Sequence, residues 1–217
     1  MQNSTLPSID AKHRFNTWKD CGRAILAGIC IGIGALVNLK VGDIGGAILF
    51  AFGLSAVVSM GFNLFTGKAQ YASSANMKDL IIMLLFNILT CAIISLTLVR
   101  PNPDLCVIAN EIILHRLSQP WVAFGGSIGC GFIMTAAVRG VTDKQAYIPL
   151  LLGVPTFILC GFPHCIADVV YLTAADDVYV TPTVALLVWL ILYPLIIVGN
   201  FIGCNLYRLG VDKCKIS

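Results

Sequence analysis

The chain has 217 residues, of which 58% are hydrophobic and only 12% are charged, and its net charge at neutral pH is +3. A soluble domain normally carries about 25% charged residues, so roughly half of the usual charge is missing. An ordinary soluble fold is therefore excluded, because nearly every face of every helix would have to be buried.

Six apolar stretches follow one another along the chain and contain almost all of the Leu, Ile, Val and Phe: residues 24–39, 44–62, 80–99, 117–138, 145–171 and 182–207. A transmembrane helix needs about 20 residues to cross a hydrocarbon core of about 30 Å. Most stretches are long enough, and the first would depend on its flanking residues. We therefore predict an all-α integral membrane protein with six transmembrane helices. Residues 23–208 would form one six-span domain, between an N-terminal segment at 1–22 and a tail at 209–217.

The basic residues are divided unequally between the two predicted faces of the membrane. With six spans, one face carries both termini and 11 of the 14 lysines and arginines, whereas the other carries only Lys40, Arg100 and Arg116. Lysine and arginine accumulate in cytoplasmic loops. Both termini are therefore predicted to be cytoplasmic, with the protein in an inner or plasma membrane.

The nine cysteines lie mostly within the apolar stretches, and none forms a C-x-x-C pair. Buried free thiols behave as small hydrophobic side chains. The adjacent His164 and Cys165 have poor spacing for a metal ion, so we predict neither disulfides nor a metal site, and we expect no cofactor.

A Gly-Phe pair recurs at a similar depth in the second and fifth stretches, at 61–62 and 161–162. The repeat divides the chain into two halves, 23–100 and 117–208, with three predicted spans each. An odd number of spans places the second half upside down, and inverted repeats often interrupt helices near the midplane, where backbone lines a path. We therefore expect the two breaks to meet at a shared central site.

His164 is the central candidate of the second break, in the segment CGFPHCIAD. A polar side chain within a span is a functional hypothesis by default, and histidine titrates near physiological pH. A neutral histidine that bridges two helices is the alternative, but Pro163 favours a pore position because it removes a backbone donor beside the ring. Asp168 shares a helix face with His164. It would either hold the imidazole in one tautomer or raise the pKa of His164, or else it would cap the resumed helix.

The first break contains Thr66, whose hydroxyl would face His164, and Gly67, which permits a tight turn. The segment FTGK alone fits a helix C-terminus better, with Gly67 as the cap and Lys68 favourable for the helix dipole. Asn87 and Asn200 are amides within the third and sixth stretches. They either line the path or, like most intramembrane amides, hydrogen-bond neighbouring helices.

These motifs resemble those of the formate/nitrite transporter family, over residues 23–208. The resemblance rests on FAFGL at 50–54, LFTG at 64–67, VTDK at 141–144, GFPHCIAD at 161–168 and GNFIG at 199–203. It implies an aquaporin-like inverted repeat of six spans, with the second and fifth broken, and assembly as a homopentamer with one pore per protomer. It also implies a channel for small monovalent anions of weak acids, such as formate, nitrite or hydrosulfide, and not an enzyme.

The resemblance also assigns roles to individual residues. His164 would be the central pore histidine with Thr66 as its partner, and Asn87 and Asn200 are similar to family asparagines. Two apolar constrictions would be built by Phe50, Leu54, Leu64, Phe65 and Phe157.

The chain departs from the family pattern at three places near the predicted pore. Pro163 stands where the family usually has Glu, and Asp168 stands where it usually has Asn. Either His115 or Arg116 takes the place of a lysine in the outer vestibule. These differences bear on the choice of substrate and on the titration of His164.

The predicted function is proton-linked passage of a weak-acid anion through the lipid bilayer. Transferring a carboxylate-sized ion to a low dielectric costs of order 20 kcal/mol before relaxation. A proton from water or from His164 would therefore neutralise the anion before it crosses the apolar rings. The alternative is a channel for a neutral solute such as water, urea or glycerol. Small anions, protons, lipid and other copies of the chain are the expected partners, and nucleic acid is not.

Overall fold

A computed structural model of the protein describes residues 18–175 and 181–214. This part of the chain is helical and contains no strand, which confirms the all-α class. The helices are α1 (Trp18–Val41), α2 (Asp43–Ser59), α3 (Phe65–Lys68), α4 (Met77–Ile94), α5 (Pro103–Ser118), α6 (Pro120–Lys144), α7 (Ile148–Leu159), α8 (Ala167–Ala174), α9 (Pro182–Leu187) and α10 (Tyr193–Cys214). A 3-10 turn follows α3, and π-helical turns follow α4 and precede α10. Most of the predicted N-terminal segment and the end of the predicted tail lie outside the described residues.

Four of the described helices are long and apolar enough to cross a membrane: Trp18–Val41, Met77–Val99, Pro120–Lys144 and Pro182–Gly210. Helices α2 and α7 are apolar but shorter. Helix α1 is 24 residues long, because the polar residues that precede the first apolar stretch continue the same helix. The helices therefore form an integral membrane protein, as the composition predicts.

The helices pack in two groups that repeat the same contacts. Helix α1 packs against α2 and α4, and α6 packs against α7 and α10. The two groups meet along α2 and α7. The start of α1 and the end of α10 both lie beside residues 63–72, since Asn63 donates to the carbonyl of Asp20 and Arg208 donates to that of Ala72. We call this side the terminal face, and the opposite side, which carries the end of α1 and the end of α5, the distal face.

Helices α2 and α7 end in the same way, at the Gly-Phe pairs of residues 61–62 and 161–162. Gly61 and Gly161 have φ angles of 67° and 68°. Phe62 and Phe162 each donate a backbone hydrogen bond of 2.9 Å to the carbonyl five residues earlier, and each glycine donates to the carbonyl three residues earlier. This pattern is a Schellman motif, and its left-handed residue is usually glycine because glycine has no Cβ. These two Gly-Phe pairs thus mark helix ends, whereas the pair at 131–132 lies in the interior of α6.

The segment between the third and fourth apolar stretches contains a helix, α5. Asn102 caps its start by accepting a hydrogen bond of 3.2 Å from the backbone of Asp104, and Pro103 occupies the first turn, where its missing N–H is not needed. The buried face of α5 packs against α8. This contact carries Arg116, near the end of α5, towards the centre of the protein.

Close approach of α6 and α10 requires glycine at the contact. A Cβ added to Gly131 would lie 2.2 Å from the carbonyl oxygen of Asn200. Small residues permit such contacts between membrane helices, whereas overpacking costs about 1–3 kcal/mol. We therefore expect Gly131→Ala to lower the thermal unfolding midpoint of the purified protein.

Gly125→Ala is the matched control for this prediction, because it lies on the same helix and nothing lies within 4 Å of the added Cβ. It should unfold at the wild-type temperature. An equal loss of stability in both variants would show that the close contact is not the cause.

Candidate functional site

The two segments that follow the ends of α2 and α7 meet at a buried pair of polar side chains. The hydroxyl of Thr66 lies 3.0 Å from Nε2 of His164, and both residues are buried. The interpretation of FTGK as a helix C-terminus was wrong: Phe65 begins the short helix α3, and the helix-ending glycine is Gly61. Each half of the chain therefore contributes one partner to the central pair.

The hydrogen bonds of His164 define the tautomer of the neutral ring. Nδ1 accepts a hydrogen bond of 3.2 Å from the backbone N–H of Ala167, at the start of α8. The ring proton therefore resides on Nε2, which donates to the hydroxyl of Thr66. The ring of Phe157 stacks on the imidazole, with 5.8 Å between centroids and 23° between planes. The imidazole thus presents one N–H donor beside an aromatic ring.

Asn200 on α10 fixes the segment that carries His164. Its Oδ1 accepts a hydrogen bond of 2.8 Å from the backbone N–H of Cys165. Its Nδ2 donates to the carbonyls of Ser127 and Pro163, at 2.8 and 3.0 Å. Backbone groups left without a helical partner by the break are therefore satisfied by one side chain, as membrane burial demands.

Asn87 on α4 does the same for the other break. Its Oδ1 accepts a hydrogen bond of 2.9 Å from the backbone N–H of Phe65, and its Nδ2 donates to the carbonyls of Ala24 and Asn63, at 2.8 and 3.1 Å. The two asparagines occupy matching places in the two helix groups. All of their described hydrogen bonds go to backbone, so their geometry is that of clamps.

A cavity of about 350 Å³ leads from the distal face to His164. Exposed residues line its mouth, and its inner part is lined by Phe50, Phe157, His164, Asp168, Arg116, Tyr171 and Asn38. The rings of Phe50 and Phe157 are 6.1 Å apart, edge to face, and both are buried. An aromatic pair therefore stands beside the imidazole at the inner end of the cavity.

The remaining residues predicted for the constrictions lie elsewhere. Leu54, Leu64 and Phe65 are buried in the hydrophobic core and are not part of the cavity lining. Leu64 and Phe65 directly precede Thr66 in the chain, so they lie beside Thr66 and not beside His164.

Arg116 and Asp168 form an ion pair within the cavity. Their side chains are only 11% and 1% exposed. Oδ1 of Asp168 also accepts a hydrogen bond of 3.3 Å from the backbone N–H of His164. Among the described contacts, this carboxylate touches the backbone of His164 and not its ring. Asp168 therefore sits in the first turn of α8 as an N-terminal acid, and Ala167 provides the contact that selects the tautomer.

The structure separates the two candidates for the vestibule cation. Arg116 lies inside the cavity, whereas the side chain of His115 is exposed at its mouth. Sequence reasoning missed Asn38 and Tyr171, whose side chains are joined by a hydrogen bond of 3.3 Å in the cavity wall. Asn38 could have been found as a further amide within an apolar stretch, by the same rule that singled out Asn87.

A cavity that leads from one face of a membrane protein to a buried polar group is typical of membrane transport proteins. The sequence pattern of the formate/nitrite transporter family matches residues 2–210, and the chain belongs to this family. The family resemblance seen in the motifs is thereby confirmed.

A solved structure described as a "pentameric formate channel with formate bound" is similar in fold. Its TM-score is 0.73 at 21% sequence identity, over 92% of this chain and 96% of that chain. Among proteins of curated function, none matches the chain.

Proposed function

We propose that the protein is a channel for small monovalent anions of weak acids, with formate, nitrite and hydrosulfide as candidates, and that each anion crosses together with a proton. The observation that carries this proposal is the position of His164. Its Nε2–H, shared with Thr66, lies at the inner end of a cavity that also contains Arg116. Family membership and the fold of the formate channel support the same assignment.

The proposed topology has six spans. The short helices α2 and α7 would be completed across the membrane by α3 and α8, which gives the second and fifth spans a break at each Gly-Phe pair. The unequal distribution of lysine and arginine supports cytoplasmic termini, so the distal face would be the outer one. Because the structure of similar fold is a pentamer, we propose a homopentamer with one pore in each protomer.

In the proposed mechanism, the anion enters the cavity and meets the guanidinium of Arg116. The aromatic pair Phe50 and Phe157 then blocks a charged species, because a buried ion without compensation still costs several kcal/mol. A proton converts the anion to its neutral acid, which loses only its polar hydration. Nε2–H of His164 stabilises the anion by hydrogen bonding as it loses water, and Leu54, Leu64 and Phe65 would form the second apolar constriction.

Asn87 and Asn200 are proposed to act by positioning the breaks and not by binding the substrate. Their amides are occupied by backbone partners on both sides of each break. Loss of the Asn87 side chain would therefore displace Thr66, and loss of the Asn200 side chain would displace His164. Either change would separate the Thr66–His164 pair.

A substrate panel in proteoliposomes tests this function. We expect formate, nitrite or hydrosulfide to be taken up faster than in protein-free liposomes, with uptake driven by an imposed pH gradient. The protein-free control is needed because small neutral acids cross lipid unaided. Passage of urea or glycerol with no effect of the pH gradient would instead identify a channel for neutral solutes.

A further inference from the structure

The ion pair of Arg116 and Asp168 joins two elements that are distant in sequence, the end of α5 and the first turn of α8. The guanidinium also lies over the ring of Tyr171, with 5.7 Å between Cζ and the ring centroid. Both side chains are largely removed from solvent and line the same cavity as His164. The cation that meets an incoming anion is therefore already paired.

The charges around Asp168 come from few groups. Among the described residues, the titratable side chains in electrostatic contact with it are Arg116, Cys130, Cys165, Tyr171 and Tyr193, and its own hydrogen bond goes to the backbone of His164. Helix α1 contributes the neutral amide of Asn38. Arg100 is bound at the other end of α8, to the carbonyl of Thr173. Glu111 and His115 are exposed at the mouth of the cavity. The buried part of the cavity, among the described residues, therefore contains one positive charge, on Arg116, and one negative charge, on Asp168.

An anion that binds Arg116 would give this buried region a net negative charge. Because uncompensated buried charge is costly, binding should be accompanied by uptake of a proton. We infer that Asp168 takes up this proton, and so keeps the cavity electroneutral when an anion replaces it as the partner of Arg116. This inference rests on the proposed function and adds to it a second titrating residue.

The hydrogen bonds favour Asp168 over His164 as the acceptor. Nδ1 of His164 already accepts the N–H of Ala167, and Nε2 carries the ring proton. In Asp168, Oδ1 is held by the backbone N–H of His164, whereas Oδ2 faces Arg116. Displacement from Arg116 therefore leaves Oδ2 in place without its counter-charge.

The steps balance in atoms and charge. The anion binds the guanidinium of Arg116, and one proton from external water binds the carboxylate of Asp168 to give the neutral acid. That proton then passes to the bound anion, which leaves as a neutral weak acid. The carboxylate of Asp168 is regenerated and pairs with Arg116 again.

Nitrate is the probe for this inference, because it is a planar monovalent anion that holds no proton near neutral pH. Nitrate binding to the purified protein is measured by calorimetry, and proton uptake is measured with an indicator dye in weak buffer. We expect the wild type to take up about one proton per bound nitrate. Asp168→Asn should bind nitrate without proton uptake and about tenfold more tightly, because a like charge has been removed.

Two further variants make the test specific. Asp104→Asn removes a carboxylate from the exposed first turn of α5 and should behave as the wild type. Asp168→Glu keeps the carboxyl group and should restore proton uptake. The wild-type measurement also remains decisive if Asp168→Asn does not fold.

The inference would be overturned if the wild type bound no nitrate, or bound it without proton uptake, or if Asp168→Asn took up the proton as before. None of these results affects the proposed function, which depends on wild-type flux in liposomes. Conversely, a protein that takes up the proton but passes no weak acid would contradict the proposed function alone.

Discussion

His164→Phe is expected to reduce formate flux in proteoliposomes by about 100-fold, which is the lower end of the effect of removing one preorganised hydrogen-bond donor to an anion. Phenylalanine fills the space of the imidazole and can still stack on Phe157. It cannot donate to Thr66 or accept from Ala167. An anion that has passed Arg116 would then meet only the aromatic rings of Phe50, Phe157 and the new phenylalanine at the inner end of the cavity, with no N–H donor to replace its water.

His164→Asn is the companion variant for this prediction. The amide of asparagine can accept the N–H of Ala167 in place of Nδ1, but it does not reach the position of Nε2. It should therefore assemble as the wild type does on size exclusion and still show the loss of flux. Wild-type flux in His164→Phe would remove His164 from the mechanism.

Asn200→Ala is expected to have the second-largest effect, through the structure of the break. The variant loses three hydrogen bonds to backbone, at Cys165, Ser127 and Pro163. At about 1 kcal/mol each, this amounts to about 3 kcal/mol, before the cost of a buried N–H left without a partner. We expect a clearly lower thermal unfolding midpoint and little formate flux, because the segment that carries His164 is no longer fixed.

Asn205→Ala is the control for the clamp. Asn205 lies on the same helix, is half-buried, and donates to the carbonyls of Ala69 and Phe201, away from the break that contains His164. Its replacement should cost less stability and leave most of the flux. If the two variants lost stability and flux equally, Asn200 would be an ordinary packing residue.

The Gly-Phe pairs at 61–62 and 161–162 were the most informative sequence signal, because they lie at a similar depth in matching stretches, whereas the third pair of the chain, at 131–132, lies within α6. They indicated two positions where the chain leaves a helix, and α2 and α7 end there because a left-handed residue is needed to close each helix. The apolar stretches likewise predicted the helical membrane class from composition alone. Both signals are local, so one sequence was enough to find them.

Features that depend on distant contacts were not available from the sequence. His115 and Arg116 are adjacent on α5, and only the packing of α5 against α8 decides that Arg116 turns inwards to Asp168. The sequence left open whether Asn87 and Asn200 line the path or join helices, because an asparagine within an apolar stretch looks the same in either role.

The most direct test of neutral passage separates the pH gradient from the membrane potential. Formate uptake is measured in proteoliposomes with a potential set by potassium and valinomycin, with and without a pH gradient, and is compared with uptake in protein-free liposomes. If the acid crosses uncharged, uptake follows the pH gradient and ignores the potential. Uptake that follows the potential and ignores the pH gradient would show that the bare anion passes, and would contradict the mechanism.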